Sequence, residues 1–174
     1  LELANAIASS ENPLTARVAV NRIWQLLFGQ GLVKTTSNFG SLGASPSHPE
    51  LLDYLSVTFM ENGWSIKDLI KRILLSSTYR QSSFVVSLKR QKDEENKYYS
   101  YFPRRRLSAE MLRDSMLLVS GEMESGDRRD ESLKVSDKKN LRRTIYSRIS
   151  RKELDHYLAL FDYPDPNIHS SSRD

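Results

Sequence analysis

The sequence predicts a mainly α-helical protein, an irregular bundle of about five to six helices. Apolar residues recur at helical spacing in several segments, Ser or Pro stands at the start of several of them, and Gly stands at the end. One stretch, residues 144–149, alternates and is rich in β-branched and aromatic residues, so one short β-ribbon with residues 132–136 stays open as an alternative. We expect residues 1–174 to form a single domain.

Residues 1–9 favour helix one, and residues 14–28 favour helix two. The break between them comes from Pro13, because the residue before a proline is pushed out of the α region. Gly29 then fits the left-handed conformation that ends a helix. Helix two is expected to bury one face, made of Ala19, Val20, Ile23, Leu26 and Leu27.

Helices three and four are predicted from the residues at their ends. Pro49 suits the first helical position, since its missing N–H would be unpaired there anyway, and Gly63 helps to end helix three. Ser65 and Asp68 form a capping-box arrangement at the start of helix four. The apolar residues of helix four follow the helical period; they are Ile66, Leu69, Ile70, Ile73 and Leu74.

Two further helices are predicted towards the C-terminus. Ser108 caps helix five, and Gly121 closes it. One stripe runs along this helix and consists of Met111, Leu112, Ser115, Met116 and Val119. Residues 152–161 are predicted to form the last helix, and residues 162–166, which contain two prolines, are expected to be irregular.

The composition limits the kinds of site that this chain can hold. It has no cysteine, which excludes disulfides, cysteine-ligated zinc, iron–sulfur clusters and covalent haem attachment within it. Its three histidines are far apart in sequence, so we expect no metal site and no cofactor in this chain. The net charge is +4, but residues 128–152 hold ten Lys or Arg against three Asp or Glu, or +7. A mobile basic loop is predicted over residues 122–140.

The chain is expected to be a fragment of a larger multidomain protein. It begins at Leu1, already within a predicted helix, and shows no signal peptide. No apolar run approaches the roughly 20 residues that span a bilayer. We therefore expect no membrane span in this part of the protein.

The first candidate binding site lies on helix two. Arg17, Asn21 and Trp24 follow one another at helical spacing along the edge of its apolar face. A guanidinium fork can pair oxygen atoms and an indole offers a flat apolar plate, so this row predicts binding of a sugar or a carboxylate. The alternative is that Arg17 and Asn21 hydrogen-bond carbonyl groups of the 29–43 segment, since buried polar groups need partners.

The second candidate site lies on helix five, which carries Glu110, Arg113 and Asp114. Paired carboxylates can perform acid–base hydrolysis, so Glu110 and Asp114, together with Arg17 and Asn21, are the candidates if the chain is part of an enzyme. The alternative is a network of ion pairs that stabilises the fold, in which Glu110 and Arg113 pair on one helix surface.

Five arginines form a candidate basic surface: Arg104, Arg105, Arg106, Arg142 and Arg143. Four aromatic residues stand before the first three: Tyr98, Tyr99, Tyr101 and Phe102. Aromatic rings beside arginines can stack on bases or sugars, and basic clusters can bind nucleic acid or anionic glycans. The alternative is that the rings close the core while the arginines extend into solvent.

Five segments, which together extend over nearly the whole chain, carry a resemblance to a known family. They are NPLTARVAVNRIW, FGQGLVKTTSNFGSLGASPSHPELLDYL, GWSIKDLIKRILLSSTYRQSS, RRRLSAEMLRD and FDYPDPN. The chain resembles the planctomycete-specific domain of unknown function that lies near the C-terminus of large planctomycete proteins. In that family, the domain accompanies a planctomycete-type cytochrome c domain and a second domain of unknown function.

The resemblance implies a periplasmic or otherwise extracytoplasmic bacterial protein, with haem in a neighbouring domain and polysaccharide processing as its setting. It carries no catalytic residue over to this chain. We therefore expect a non-catalytic helical module that contacts sibling domains or a glycan or anionic partner. A hydrolytic or redox-coupled enzyme whose site is completed by further segments is the first alternative, and nucleic-acid binding ranks below it.

Overall fold

The protein is mainly α-helical in the computed structural model, which describes residues 1–84, 91–124, 133–161, 163, 164 and 167. These residues form six α-helices and one short 3-10 helix, so the predicted fold class is confirmed. Of the helices in these residues, none is long and apolar enough to cross a membrane. The chain forms two compact units, Leu1–Arg105 (unit 1) and Arg106–Asp174 (unit 2). Their assignment to a single domain stays a prediction.

Unit 1 begins with helices α1 (Glu2–Ile7) and α2 (Pro13–Phe28). The side chain of Asn12 accepts a hydrogen bond from the Leu14 N–H at 3.0 Å, which satisfies one of the free N–H groups at the start of α2. Gly29 ends α2 with a φ of 87°, the left-handed conformation that the sequence predicts. Both ends of α2 are therefore set by local residues.

Helices α3 (Pro49–Glu61) and α4 (Ile66–Leu74) follow, and they begin where the sequence predicts. Pro49 occupies the first turn of α3. The side chain of Ser65 accepts a hydrogen bond from the Asp68 N–H at 3.3 Å and so caps α4. Within unit 1, α3 packs against both α2 and α4.

The core of unit 1 is built around α2, whose buried face contains Val20 and Ile23 as predicted but differs from the prediction at two other positions. Leu26, which the helical pattern places inside, is 66% exposed, whereas Trp24, predicted at the edge, is only 4% exposed. The prediction was wrong at these two positions because helical periodicity does not show that Trp24 and Phe28 have other rings to pack against. The indole of Trp24 stacks on Phe28 with 4.2 Å between ring centroids.

Three further rings complete this aromatic cluster. Tyr99 lies edge-on to Trp24 with centroids 5.3 Å apart, and Tyr79 lies edge-on to both Phe28, at 5.5 Å, and Phe102, at 4.9 Å. Edge-to-face pairs of this kind stabilise a core beyond the apolar area that they bury. Tyr99 and Phe102 therefore help to close the core of unit 1. This is the alternative in which the aromatic rings before the three arginines belong to the core.

Unit 2 contains helix α5 (Ala109–Ser120), a 3-10 helix (Thr144–Tyr146) and the short helix α6 (His156–Ala159). Ser108 caps α5 by accepting a hydrogen bond from the third residue of the helix at 3.3 Å. Gly121 ends α5 with a φ of 76°. Both ends of α5 agree with the sequence prediction.

Two element predictions for unit 2 are wrong. Residues 144–149 form no strand, since Thr144–Tyr146 is a 3-10 helix and the described residues contain only one isolated bridge, between Lys134 and Arg148. The predicted last helix is reduced to the single turn His156–Ala159. In both places, side-chain oxygen atoms accept hydrogen bonds from main-chain N–H groups of the segment. Such bonds compete with strand and helix pairing, and local alternation and periodicity do not reveal them.

Helix α5 turns its apolar stripe towards solvent. Val119 is 88% exposed, and Met111 and Met116 are more than half exposed. In contrast, the side chains of Arg113 and Asp114 are only 11% and 21% exposed. A helix pattern alone favours the opposite orientation, so the partners of these two charged residues decide which face of α5 is buried.

The predicted loop over residues 122–140 is described only in part, because residues 125–132 lie outside the described residues. Its C-terminal end contributes to the core of unit 2. Val135 is buried with Ala109 and Leu158, and the amide of Asn140 donates hydrogen bonds within the unit. Of the segment predicted to be irregular, Tyr163 and Pro164 are described and are not helical, and its other residues lie outside the described part.

Candidate functional site

A groove of about 310 Å³ lies between α2 and α3 in unit 1. Its volume is at the lower end of the range of roughly 300–1,000 Å³ that is usual for small-ligand sites. Nine described residues line it, and seven of them are apolar. The nine are Leu14, Arg17, Val33, Phe39, Ala44, Pro46, Pro49, Leu52 and Asp53. We refer to it as the α2–α3 groove.

The two charged residues of the α2–α3 groove form an ion pair. Arg17 Nε donates to Asp53 Oδ1 at 2.7 Å, and Arg17 Nη1 donates to the Pro13 carbonyl at 2.7 Å. A guanidinium carries five N–H donors, so three donors of Arg17 have no acceptor among the described residues. The side chains of Arg17 and Asp53 are 34% and 52% exposed. The pair is therefore accessible to a ligand that enters the groove.

The inner wall of the groove is apolar and fixed by the core. Val33 and Leu52 are both buried members of the unit 1 core, and Phe39 is half-buried against it. Leu14, at the outer side, is about half exposed. The groove thus combines an apolar wall with one polar pair, an arrangement typical of sites that bind apolar ligands in a fixed orientation.

Asn21 shapes the groove from behind and does not face it. Its Nδ2 donates to the Val33 carbonyl at 3.0 Å, and its Oδ1 accepts from the Val33 N–H at 2.8 Å. Asn21 itself is completely buried. Asn21 therefore makes the contacts of the alternative in which it holds the loop that follows α2. Arg17 does not, because it bonds to Asp53 and Pro13 and not to that loop.

Trp24 lies in the aromatic cluster and has no open ring face. Its Nε1 donates to Tyr99 Oη at 2.9 Å. Burial raises the pKa of the Tyr99 hydroxyl, and hydrogen bonds with Trp24 and Ser47 partly offset this rise. Tyr99 adopts a left-handed φ of 49°, a conformation that is strained for a bulky residue. Trp24 and Tyr99 thus hold each other in the core.

The second predicted site, on α5, is a network of polar contacts inside unit 2. The guanidinium of Arg113 donates to the carbonyls of Arg142, at 2.9 Å, and of Asn140, and to Thr144 Oγ1 at 3.1 Å. Asp114 Oδ1 accepts from both the N–H and the Oγ1 of Thr144, at 2.8 and 2.7 Å. Burial lowers the pKa of Arg113, and the charge of Asp114 opposes this effect. These bonds tie α5 to the 140–144 segment.

Tyr157 and Asp155 adjoin this network. Burial raises the pKa of Tyr157; Arg113 opposes the rise, whereas the charges of Asp114 and Glu110 add to it. Glu110 is thus close enough to the network to affect its electrostatics, and it is half-buried.

Asp155 is held by hydrogen bonds from the N–H and the Oγ of Ser136, at 3.1 and 2.7 Å, and from the N–H of Tyr157 at 2.9 Å. Burial acts to raise the pKa of Asp155, but these bonds outweigh it and the pKa lies below its ordinary value. A cavity of about 30 Å³ beside Asp155 has room for about one water molecule.

Three of the five arginines of the candidate basic surface make contacts within unit 2. The Arg106 guanidinium lies 5.6 Å from the centroid of the Phe161 ring. Arg142 Nε lies 3.8 Å from Glu124 Oε2, and Arg143 Nε lies 3.7 Å from Asp114 Oδ2. The other two, Arg104 and Arg105, are exposed residues at the end of unit 1.

Sequence reasoning missed most of the groove. It singled out Arg17 but not Asp53, which lies 36 residues further along the chain. Helical periodicity indicates which face of α3 is buried, but it does not show which of its exposed residues stands opposite Arg17. Phe39 and Pro46 come from a segment without periodicity, so no pattern marked them. Among the described residues, no group of three or more His, Asp or Glu side chains could hold a metal ion.

Comparison with known proteins identifies the family. A family model described as "PSD1: Protein of unknown function (DUF1553)" matches residues 1–174. No curated protein and no solved structure matches the chain. This agrees with the resemblance to a domain of unknown function, while the links to planctomycetes and to cytochrome c domains stay predictions. Since the match extends over all 174 residues, the chain belongs to the DUF1553 family of proteins of unknown function.

Proposed function

We propose that the chain is a non-catalytic interaction module of a larger extracytoplasmic protein, and that the α2–α3 groove is its binding surface. The observation that carries this proposal is the position of Arg17. Arg17 lies at an apolar groove, and three of its N–H donors have no acceptor among the described residues. Its contacts with Asp53 and Pro13 fix its orientation. A pre-oriented polar group beside an apolar wall is what a specific binding site needs.

The contacts of the candidate catalytic residues support a non-catalytic role. A general acid or base must reach a proton of the substrate. Asp114 instead accepts two hydrogen bonds from Thr144, and Arg113 is engaged with main-chain carbonyls. Asn21 is engaged with Val33 inside unit 1. The alternative, a hydrolytic or redox-coupled enzyme completed by further segments, therefore ranks second.

Sibling domains of the parent protein are the proposed partners, including a cytochrome c domain that carries haem. This setting, together with an extracytoplasmic location and polysaccharide processing, is supported by the family resemblance. Direct glycan binding through Trp24 loses support, since its ring is buried. Arg104 and Arg105 are the arginines best placed for an anionic partner, and nucleic-acid binding ranks lowest because the other three arginines contact residues of unit 2.

A fragment screen by nuclear magnetic resonance tests the proposal. The uniformly ¹⁵N-labelled chain is titrated with a library of neutral, anionic and sugar-like fragments. We expect some of them to shift the backbone amide signals of Leu14, Val33 and Leu52, which line the groove. The variant Ala44→Trp, which fills the groove from an exposed lining position, should abolish these shifts.

The matched control is Ala4→Trp, which places the same ring at an exposed site on α1. It should bind the fragments as the wild type does. A library in which no fragment shifts the groove signals, or shifts that persist unchanged in Ala44→Trp, would overturn the proposal. Shifts confined to the signals of unit 2 would favour the enzyme alternative on α5.

A further inference from the structure

We propose that the α2–α3 groove binds an extended, uncharged, apolar peptide segment, one main-chain amide of which pairs with Arg17 and Asp53. This inference rests on the proposed function of the groove and names the class of ligand that the groove takes. It follows from the chemistry of the ion pair, from the composition of the wall and from the burial of Trp24.

The ion pair offers a donor and an acceptor side by side. Three N–H donors of Arg17 have no acceptor among the described residues, and Asp53 Oδ2 accepts no hydrogen bond from these residues. The two charges compensate each other at 2.7 Å. A ligand carboxylate would meet the negative Asp53, and a ligand amine would meet the positive Arg17. A neutral group with one acceptor and one donor satisfies both residues at once.

A peptide group is such a neutral group. Each main-chain unit carries one C=O and one N–H, so its carbonyl can accept from Arg17 while its N–H, or that of a neighbouring unit, donates to Asp53. In an extended chain, side chains at positions i and i+2 project to the same face. Two apolar side chains of the ligand can therefore lie against the apolar wall while its main chain meets the polar pair.

The wall of the groove favours a peptide over a sugar. Apart from Arg17 and Asp53, the described residues that line it are aliphatic residues, prolines and Phe39. Pro46 and Pro49 have no N–H, so they add apolar surface without any donor. Sugars are usually bound through many hydroxyl hydrogen bonds and an open aromatic face, and Trp24, the ring that the sequence suggests for this purpose, is 4% exposed.

The inference is tested with the blocked pentapeptide acetyl-Gly-Leu-Val-Leu-Gly-amide, titrated into the ¹⁵N-labelled chain. We expect it to shift the amide signals of Leu14, Val33 and Leu52. In Asp53→Ala, loss of one net hydrogen bond should weaken binding by roughly 2- to 12-fold. In Arg17→Lys, which keeps the charge but not the fork, binding should weaken to a similar degree.

The matched control is Glu95→Ala. Glu95 also forms an exposed ion pair in unit 1, with Lys34 at 3.0 Å, but it does not line the groove, so its loss should leave peptide binding unchanged. Thermal melts of all variants in the absence of peptide show whether Asp53→Ala and Arg17→Lys remain folded. If either one unfolds, an ester-for-amide analogue of the peptide tests the same hydrogen bond with the wild-type chain, and it should bind more weakly.

The control ligands separate this inference from the proposed function. If the peptide with a free carboxylate binds more tightly than the blocked one, or if di-N-acetylchitobiose shifts the groove signals and the peptide does not, the ligand class is wrong while the groove remains a binding site. An ester analogue that binds as tightly as the amide also overturns the inference. If no probe of any class shifts these signals, the proposed function itself fails.

Discussion

Asn21 and Val33 are joined by two hydrogen bonds of opposite direction, one of 3.0 Å from the amide nitrogen of Asn21 and one of 2.8 Å to its amide oxygen. One side chain of α2 thus satisfies both main-chain groups of a buried residue twelve positions later in the chain. Because buried main-chain groups need partners, this pair fixes the path of the chain after Gly29. The inner wall of the α2–α3 groove depends on that path.

Gly31 is the position most sensitive to this pair. A Cβ atom on Gly31 would lie 2.8 Å from both amide atoms of Asn21 and 2.8 Å from the Val33 carbonyl oxygen. We expect Gly31→Ala to lower the free energy of unfolding by about 1–3 kcal/mol, the usual cost of overpacking, in urea denaturation. Gly40→Ala is the control, since its Cβ would have its nearest contact at 3.4 Å. Equal unfolding midpoints for the two variants would contradict this prediction.

Arg113 should be essential to the local stability of unit 2. Replacing it with Lys keeps the charge but loses the planar fork that serves the Asn140 and Arg142 carbonyls and Thr144. We expect the opening free energy of the 3-10 helix to fall by about 2–4 kcal/mol, measured as faster hydrogen exchange of the Tyr146 amide. Arg143→Lys, at a side chain that is 59% exposed, should change this rate little. Similar rates in the two variants would argue against the role given to Arg113.

Tyr99 should make the stability of unit 1 sensitive to alkaline pH. Burial raises the pKa of the Tyr99 hydroxyl in the folded chain. The hydroxyl therefore contributes stability that is fully present below its pKa in the unfolded chain, about 10, and that is lost as the pH rises through its pKa in the folded chain. Urea denaturation between pH 8 and pH 11 should therefore show a loss of stability that is smaller in Tyr99→Phe.

At neutral pH, the same variant leaves Trp24 Nε1 without its acceptor and should cost about 1–3 kcal/mol. Tyr98→Phe is the matched control, because Tyr98 is 70% exposed. Tyr98→Phe should be as stable as the wild type at neutral pH, and it should lose as much stability as the wild type at alkaline pH. An alkaline loss of the same size in Tyr99→Phe as in Tyr98→Phe would show that Tyr99 is not its source.

The helix ends could be predicted from the sequence because the interactions that set them are local. Ser65 and Ser108 cap N–H groups three residues away, and Gly29 and Gly121 adopt left-handed conformations within their own turns. Interactions of this range follow directly from residue type and spacing. The fold class could therefore be predicted as well, because it depends on how many such helices the chain forms.

The orientation of the helices depends on partners that no local pattern identifies. Arg113 bonds to residues 27 to 31 positions away, and these bonds reverse the orientation that the apolar stripe of α5 favours. The groove shows the same limit. Arg17 could be singled out as a polar residue beside an apolar face, but Asp53, Phe39 and Pro46 come together with it only in the folded chain.

The orientation of α5 sets hydrogen bonding against the hydrophobic effect within unit 2. Met111, Met116 and Val119 are in contact with water, whereas the Arg113 guanidinium donates to the Asn140 and Arg142 carbonyls. The helix thus leaves apolar area exposed while it pairs main-chain groups that need partners. Local pattern and native contacts disagree at α5, and such disagreement is the opposite of the agreement between levels that smooths a folding landscape.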